Sequence, residues 1–311
     1  MAPPKSSALS ELSSQLAGAV EQAGKSVVAI HARRRIPSSG IVWRDGVIVS
    51  ASHTVNRDRD INVSLSTGDT ATATVVGRDT ATDLVALRMT GKAQAAARTD
   101  ANALRVGSLV LAVGRPGKNV TASFGIVSAV GEGWRTWQGS RIDRVARLDL
   151  AVYDGFSGGA LVDASGAVLG VNNSALARGT PMALPAAAVD RVIDELVERG
   201  HVRRPFVGVS VQPVSVAAAS TKKQQLTQDS ALLVTSIAEG SPAESAGLIV
   251  GDALLTADGQ PLRRPTDLLD ALAEVPAGGS VKLELLRGGA IKTVTVTPDD
   301  RAAGSDREER E

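Results

Sequence analysis

The sequence contains no cysteine. This absence excludes disulfide bonds, a thiolate nucleophile and cysteine-bound zinc. The three histidines, His31, His53 and His201, are too few for a histidine-rich metal site, so we expect neither a metal nor another cofactor. Aromatic residues are also scarce, with 3 Phe, 3 Trp and 1 Tyr. The cores must therefore be built from Val, Leu, Ile and Ala, which favours strands where valine is frequent.

Signals for a membrane, for export and for a charged partner are missing too. No apolar run reaches the roughly 18 residues that a membrane span needs, and no apolar segment follows Lys5 as in a secretory signal. As written, the chain is thus predicted to be soluble and cytoplasmic, without a membrane span. The net charge is only +1, so we expect no nucleic acid as partner. Nucleic-acid binding by the arginines within 33–35 and 135–147 is an alternative, but solvated loop charge is the better explanation of these residues.

A length of 311 residues suits two domains. Leu9, Leu12, Leu16 and Val20 recur at helical spacing, which predicts an amphipathic N-terminal helix within residues 1–25 that docks on its own domain or, alternatively, binds a partner. We predict a first β domain at 26–200, a hinge at 201–205, a second β domain at 206–298 and a disordered charged tail at 299–311.

Short β-type runs dominate both domains. About eleven such runs lie between residues 27 and 172, separated by glycine-containing turns, and a helix is predicted only at 189–198. This pattern is typical of barrels or sandwiches and not of a parallel α/β sheet. The second domain shows further strands with two short helices, near 242–246 and 266–272. The fold class is therefore predicted to be mainly β.

The segment Gly155-Phe156-Ser157-Gly158-Gly159 has the composition of a nucleophile loop. Glycines on both sides of the serine allow a sharp bend that exposes a small hydroxyl, and the backbone amides of Gly155 and Ser157 are candidates for an oxyanion hole. A simple tight turn would have the same composition. Since a serine hydroxyl is a weak nucleophile, the catalytic interpretation requires a base and a group that orients the base.

His53 and Asp83 are the best candidates for these two roles. His53 ends a predicted strand, whereas His31 lies within an alternating strand and His201 lies in the predicted hinge. Asp83 directly precedes an apolar strand that would bury its carboxylate against the imidazole. Asp79 is the alternative acid, although it lies in a predicted turn. The predicted catalytic residues are therefore His53, Asp83 and Ser157.

The segments around these residues resemble the three triad motifs of HtrA-type (DegP-like) serine proteases, in the same order. They are residues 51–55 (ASHTV), 82–87 (TDLVAL) and 155–161 (GFSGGAL), and residues 106–116 and 123–128 match further framework segments. The resemblance implies a chymotrypsin-like double β-barrel with the triad between the barrels. It also implies ATP-independent cleavage of unfolded or damaged proteins, for protein quality control.

Some consequences of the resemblance concern assembly and location. It implies a possible homo-oligomer, but the aromatic residues with which many relatives form a trimer are missing before Trp43. It also implies an extracytoplasmic location, in conflict with the missing export signal. Phe156 stands where relatives usually have Asn, and since the oxyanion donors are backbone amides, we expect catalysis to survive with altered packing.

The residues of the substrate pocket follow from the same resemblance. The position six before the serine, which lines the floor of the primary pocket in this fold, is Ala151, and its uncharged side chain predicts a preference for small or medium aliphatic residues. The segment 172–176 is predicted to form another wall, and the pocket residues are Ala151, Asn172, Asn173 and Ser174.

The second domain is similar to a PDZ module, a β sandwich with two short helices. Residues 204–209 (RPFVGV), 240–243 (GSPA) and 246–248 (AGL) carry this similarity. PDZ modules add a peptide C-terminus as an extra strand and bind its carboxylate with loop amides. By resemblance the partners are C-terminal peptides and the carboxylate-binding loop consists of Phe206, Val207, Gly208 and Val209. A purely structural β domain is the alternative.

The leading hypothesis is a serine endopeptidase with a peptide-binding second domain. The alternative on the same fold is a catalytically silent chaperone or scaffold in which Phe156 blocks the oxyanion hole. Cleavage of unfolded casein distinguishes the two.

Overall fold

The computed structural model of the protein describes residues 7–99, 104–135, 141–176, 180–216 and 228–300. Strands dominate these residues, and the chain divides into two compact units, Met1–Val202 and Arg203–Glu311. The predicted hinge at 201–205 contains this division, but Pro205 already belongs to the first strand of the second unit.

The first half of unit 1 is a closed six-stranded barrel of antiparallel strands in the order β1-β2-β3-β6-β5-β4. The strands are β1 (Val27–His31), β2 (Ser38–Arg44), β3 (Val47–Ala51), β4 (Ile61–Ser64), β5 (Thr70–Asp79) and β6 (Leu84–Met89). Its interior is aliphatic, with Ile30, Ile48 and Leu87 fully buried. The core composition thus agrees with the scarcity of aromatic residues.

The second half of unit 1 is another closed six-stranded barrel, in the order β10-β11-β12-β9-β8-β7. The strands are β7 (Leu109–Gly114), β8 (Thr121–Arg135), β9 (Arg141–Asp149), β10 (Ala160–Val162), β11 (Val168–Asn173) and β12 (Met182–Pro185). The prediction of a double β-barrel is confirmed. β12, which the sequence did not reveal, pairs with β11 and β9 and completes the ring.

Two helices pack on the barrels. Helix α1 (Ala8–Gly24) begins at Ser7, whose hydroxyl accepts a hydrogen bond from the amide of Ser10, and helix α2 (Ala186–Arg199) ends at Gly200. The predicted apolar stripe of α1 docks on its own domain only in its second half, where Leu16 and Val20 join the core cluster. Leu9, at the start of the stripe, is 77% exposed.

Unit 2 is built on one sheet with the order β14-β15-β16-β18-β19, to which β17 adds by pairing with β16. Its strands are β13 (Pro205–Phe206), β14 (Val209–Ser215), β15 (Ser230–Ile237), β16 (Ala253–Ala257), β17 (Gln260–Pro261), β18 (Val281–Arg287), β19 (Ala290–Val296) and β20 (Asp299–Asp300). Helix α3 (Pro242–Ser245) lies within the helix predicted near 242–246. Helix α4 (Pro265–Glu274) contains the helix predicted at 266–272 and extends beyond both of its ends.

A buried ion pair stabilises unit 2. Asp252 is 0% exposed, and its two carboxylate oxygens accept hydrogen bonds of 2.7 and 2.6 Å from Arg287. Desolvation raises the pKa of Asp252, but the hydrogen bonds from Arg287 and from the amide of Ile249 outweigh it and hold the pKa below the usual value. Because the folded-state pKa is depressed, the pair contributes stability at neutral pH that is lost as the pH falls through that pKa.

The disordered tail was predicted to begin at residue 299, but residues 299 and 300 still form a strand. Asp299 and Asp300 form β20, which pairs antiparallel with β13 at Phe206 and Pro205, because the backbone supplies the bonds of this short ladder whatever the side chains are. Residues 301–311 of the predicted tail and residues 1–6 lie outside the described residues. Within the described ranges, no helix is long and apolar enough to cross a membrane.

Candidate active site

His53 lies directly after β3, in a single 3₁₀ turn formed by Ser52–Thr54. The Thr54 hydroxyl donates to the carbonyl of Ala51 at 2.8 Å and closes this turn. The turn takes the histidine out of the sheet, and its side chain keeps 37% of its surface exposed. The other histidines lie elsewhere: Nε2 of His31 contacts the Ser64 hydroxyl within the first barrel, and Nδ1 of His201 contacts the carbonyl of Arg199.

Asp83 is presented by a tight turn between β5 and β6. It has a φ of 55°, in the left-handed region that Asp tolerates better than most residues. Asp79, the alternative acid, builds this turn: its carboxylate accepts hydrogen bonds from the Thr82 amide at 3.2 Å and from the Thr82 hydroxyl at 2.6 Å. The two aspartates therefore have separate roles, one forming the turn and one facing the histidine.

The carboxylate of Asp83 binds His53 twice. Oδ1 accepts from the His53 amide at 2.8 Å, and Oδ2 lies 2.5 Å from Nδ1 of the ring. An ionised carboxylate can only accept, so Nδ1 carries the hydrogen and Nε2 is left with a free lone pair. This is the tautomer in which the ring can take a proton from a hydroxyl.

Asn173, at the end of β11, is a third group on this carboxylate. Its Nδ2 donates to Oδ2 of Asp83 at 2.8 Å, and its Oδ1 accepts from the amides of Ala175 and Leu176. The sequence analysis assigned Asn173 to the pocket wall and missed this contact. The sequence did offer one signal for it: β11 is apolar but ends in two consecutive asparagines. Buried side-chain amides need hydrogen-bond partners, so a polar contact at this end of the strand could have been expected.

The Ser157 loop requires its glycines. Gly155 and Gly158 have φ values of 90° and 85°, where a side chain would be strained. A Cβ on Gly155 would come within 2.8 Å of the Pro37 carbonyl oxygen, and one on Gly158 would overlap the Ser50 hydroxyl. The loop is thus held close to the first barrel in a conformation that only glycine permits.

The amides of Gly155 and Ser157 are left free by this conformation. Neither has an intramolecular acceptor among the described residues. The other loop amides are engaged: Phe156 N donates to Tyr153 O at 3.0 Å, Gly158 N to Asn172 O at 2.9 Å and Gly159 N to Phe156 O at 2.8 Å. Two unpaired donors beside a serine hydroxyl are what an oxyanion hole requires.

Phe156 points into the protein and not over the loop. Its side chain is fully buried and contacts the Tyr153 ring edge to face, with centroids 5.4 Å apart. A Cβ on Gly114 of β7 would lie 2.9 Å from the Phe156 ring. The ring therefore packs against the second barrel, and the blocking role considered for it does not fit this position.

The hydroxyl of Ser157 is engaged by a neighbour. Ser157 Oγ lies 2.9 Å from Ser174 Oγ, and either can be the donor. The hydrogen bonds within the described ranges include none between Ser157 and His53. The hydroxyl must direct its hydrogen to the imidazole before this proton can be transferred, and any hydrogen bond that it donates to Ser174 must break. Catalytic hydrogen bonds often form fully only with substrate bound.

The predicted pocket residues occupy different environments. Ala151 is exposed and Ser174 is half-buried beside the nucleophile. The side chains of Asn172 and Asn173 are fully buried, and Asn172 Nδ2 donates to the Ala160 carbonyl at 2.7 Å. Because both side chains face the interior, only the backbone of these two residues is placed to contribute to the predicted wall, which stays a prediction. The adjoining residues 177–179 lie outside the described part of the chain.

The predicted carboxylate-binding loop of unit 2 lies at one end of β14. Phe206 ends β13, Val209 begins β14, and Val207 and Gly208 connect them. The amides of Val207 and Gly208 have no acceptor among the described residues. β14 is an edge strand of its sheet, and α4 packs beside it. An edge strand, a flanking helix and two free amides are the parts with which a domain of this kind would bind an extended chain end.

Comparison with known proteins agrees with this division of the chain. A model of the trypsin-like peptidase domain matches residues 38–171, and a model of the PDZ domain matches residues 233–287. The chain is 32% identical over 285 residues to a probable periplasmic serine endoprotease, DegP-like, of Brucella suis, covering 87% of this chain and 55% of that protein. A protein of the same name from Rhizobium meliloti is 33% identical over 273 residues, covering 85% of this chain and 53% of that one. The chain thus spans about half the length of the curated relatives it matches.

Solved structures show a similar arrangement. The serine endoprotease from Yersinia pestis matches with a TM-score of 0.75 and 27% identity, over 92% of this chain and 98% of that one. The HtrA-type protease AlgW with a decapeptide matches with a TM-score of 0.75 and 26% identity, over 92% and 98% of the two chains. The predicted family and fold class are confirmed: with a trypsin-like double barrel followed by a PDZ domain, the chain belongs to the HtrA-type (DegP-like) family.

Proposed function

We propose that the chain is a serine endopeptidase that cleaves unfolded or damaged proteins without ATP. Ser157 attacks the peptide carbonyl, His53 takes the hydroxyl proton and later gives it to the leaving amine, and Asp83 orients and stabilises the imidazolium. The amides of Gly155 and Ser157 hold the oxyanion. The observation that carries this proposal is the contact between Asp83 and His53, which fixes the tautomer a general base needs.

Casein, an unfolded protein, tests this function. We expect the chain to fragment casein but not a stably folded protein at the same concentration. A fluorophosphonate should stop the cleavage and add its phosphonyl group to the peptide that contains Ser157, because an activated serine attacks phosphorus and displaces fluoride. Intact casein, or modification confined to another serine, would contradict the proposal and favour the silent chaperone or scaffold.

We further propose that the PDZ domain binds C-terminal peptides in the groove between β14 and α4. The free amides of Val207 and Gly208 support carboxylate binding at one end of this groove. Half-buried Val209 and Val211 pack with the apolar core, which favours a peptide with apolar side chains at alternate positions. The names of the relatives support a site of action outside the cytoplasm, which we include in the proposal.

The peptide-binding proposal predicts a strong dependence on the terminal carboxylate. A decapeptide ending in Leu-Val should bind the Ser157→Ala chain about 10-fold more tightly than the same peptide with an amidated C-terminus. Losing charge-assisted hydrogen bonds to two amides costs about 1.5 kcal/mol or more. Fluorescence anisotropy of the labelled peptides measures both affinities. Equal affinities would show that the loop does not recognise a carboxylate.

A further inference from the structure

Ser39, the second residue of β2, lies against the oxyanion loop. It is 0% exposed, and both of its donors point at one oxygen: its amide donates to the Gly155 carbonyl at 2.9 Å and its hydroxyl donates to the same carbonyl at 2.6 Å. A serine in the first barrel thus holds the backbone of a loop that belongs to the second barrel. Two hydrogen bonds from one residue thus restrain the Gly155 carbonyl.

The remaining polar groups of Ser39 are also engaged. Its hydroxyl oxygen accepts from the amide of Arg115 at 2.8 Å, and its carbonyl accepts from the Ser50 hydroxyl at 2.7 Å. The Ser39 hydroxyl therefore has a fixed direction, because the hydrogen bond from Arg115 leaves its own hydrogen for Gly155. A fully satisfied buried network of this kind is rigid.

Arg115 ties this network to the end of α1. Its buried guanidinium donates to the carbonyls of Gly24, Val27 and Lys118 at 2.9, 2.8 and 2.7 Å. Burial lowers the pKa of Arg115, but an arginine stays protonated at neutral pH and keeps all its donors. The amide that supports Ser39 is therefore itself held in place by the side chain of the same residue.

The position of the Gly155 amide depends on the contact with Ser39. The peptide unit between Gly155 and Phe156 is fixed at both ends, by Ser39 at its carbonyl and by Tyr153 at its amide. The Gly155 amide belongs to the preceding peptide unit, which joins this one at the Gly155 Cα through both the φ and the ψ rotation of that residue. If the carbonyl lost its contact with Ser39, the loop could shift through these two rotations, and the amide would no longer be held toward the reacting oxygen.

We propose that Ser39 is a positioning residue of the oxyanion hole, whose hydroxyl holds the Gly155 carbonyl so that the Gly155 amide faces the reacting oxygen. The proposal rests on the proposed peptidase function. Ser39 does not touch the substrate in this role. It acts through the loop, so its effect falls on kcat and not on substrate binding.

Ser39→Ala tests the proposal, with Ser38→Ala as the matched control. Ser38 is equally buried and one residue away, but its hydroxyl has no hydrogen-bond partner in the described part of the chain. In casein cleavage we expect Ser39→Ala to lower kcat about 10-fold or more, with KM within about 3-fold. Removing one oxyanion donor outright costs about 10²-fold to 10³-fold, and a displaced donor costs less. Ser38→Ala is expected to stay within about 2-fold of the parent chain.

Two further measurements separate positioning from general destabilisation. The pH at which activity falls on the acid side should be the same in Ser39→Ala and the parent, because Ser39 contacts neither His53 nor Asp83 in the hydrogen bonds of the described ranges. The folded fraction, followed by circular dichroism at the assay temperature, should be near unity for both. A loss of kcat that only matches a loss of folded protein would overturn the proposal.

A conservative variant covers the case in which Ser39→Ala does not fold. Ser39→Cys keeps a similar volume and a weak S–H donor. Its kcat should therefore lie between those of the parent and Ser39→Ala. If Ser39→Ala does not fold, the kcat of Ser39→Cys should still lie below that of the parent. The proposal would be wrong if Ser39→Ala and Ser39→Cys both had the same kcat as the control Ser38→Ala. A parent chain that cleaves no casein would instead disprove the peptidase function, before any variant is compared.

Discussion

Replacing Ser157 with alanine is expected to lower the kcat for casein cleavage about 10⁶-fold, which leaves no measurable hydrolysis. Removing the nucleophile of a serine protease has an effect of this size because the base and its carboxylate act only through the hydroxyl. The fold should be nearly unaffected, since the change removes one oxygen whose hydrogen bond among the described residues is the one with Ser174. Initial rates on casein, with circular dichroism as a check on folding, measure the effect.

Ser174→Ala is the matched control, because it removes the other hydroxyl of the same hydrogen-bonded pair. One neutral hydrogen bond is worth about 0.5 to 1.5 kcal/mol, so the rate should change by about 10-fold or less. We expect an increase, since the Ser157 hydroxyl can then no longer donate its hydrogen to Ser174 in place of His53. A chain that is inactive with alanine at 174 and active with alanine at 157 would mean that the nucleophile is misassigned.

The sequence was most informative where chemistry restricts the residue type. His53, Asp83 and Ser157 could be selected because only certain side chains perform general base, orienting and nucleophilic roles, and because glycines flank the serine. The structure brings His53 and Asp83 into contact, whereas the functional assignment of all three remains part of the proposed function. The barrels could also be anticipated from the many short apolar runs between glycine turns.

The sequence was less informative where tertiary contacts decide. β12 (Met182–Pro185) is four residues long and contains a proline, so no local pattern distinguishes it from a loop, and it exists because it closes the second barrel. Ser39 and Asn173 look like ordinary strand residues. Their contacts with Gly155 and Asp83 join positions 116 and 90 residues apart. Contacts between residues so far apart in the sequence leave no local pattern from which they could be predicted.

Asp83→Asn is expected to lower kcat for casein about 10⁴-fold at neutral pH, although the two side chains have nearly the same shape. Three donors converge on the Asp83 carboxylate: the His53 amide, the His53 ring and Asn173. An amide has only one acceptor oxygen, so its NH₂ group must face one of these donors. Facing the ring, it would force the hydrogen onto Nε2, and the imidazole could no longer take the proton of Ser157. Facing the His53 amide, it would oppose that N–H, and the neutral side chain could no longer stabilise the imidazolium.

Two other aspartates provide controls for this prediction. Asp58→Asn should change kcat less than about 2-fold, because Asp58 is exposed and its ion pair with Arg78 is of the surface type worth about 1 kcal/mol or less. Asp79→Asn should lower the free energy of unfolding, since Asp79 holds the turn through Thr82, but the folded enzyme should keep the tautomer of His53 and most of its kcat. A large loss of kcat with asparagine at 79 and almost none at 83 would show that Asp79 orients the base. The measurement thus decides between the two carboxylates that the sequence offered, because one is expected to act on the chemistry and the other on the stability of the same turn.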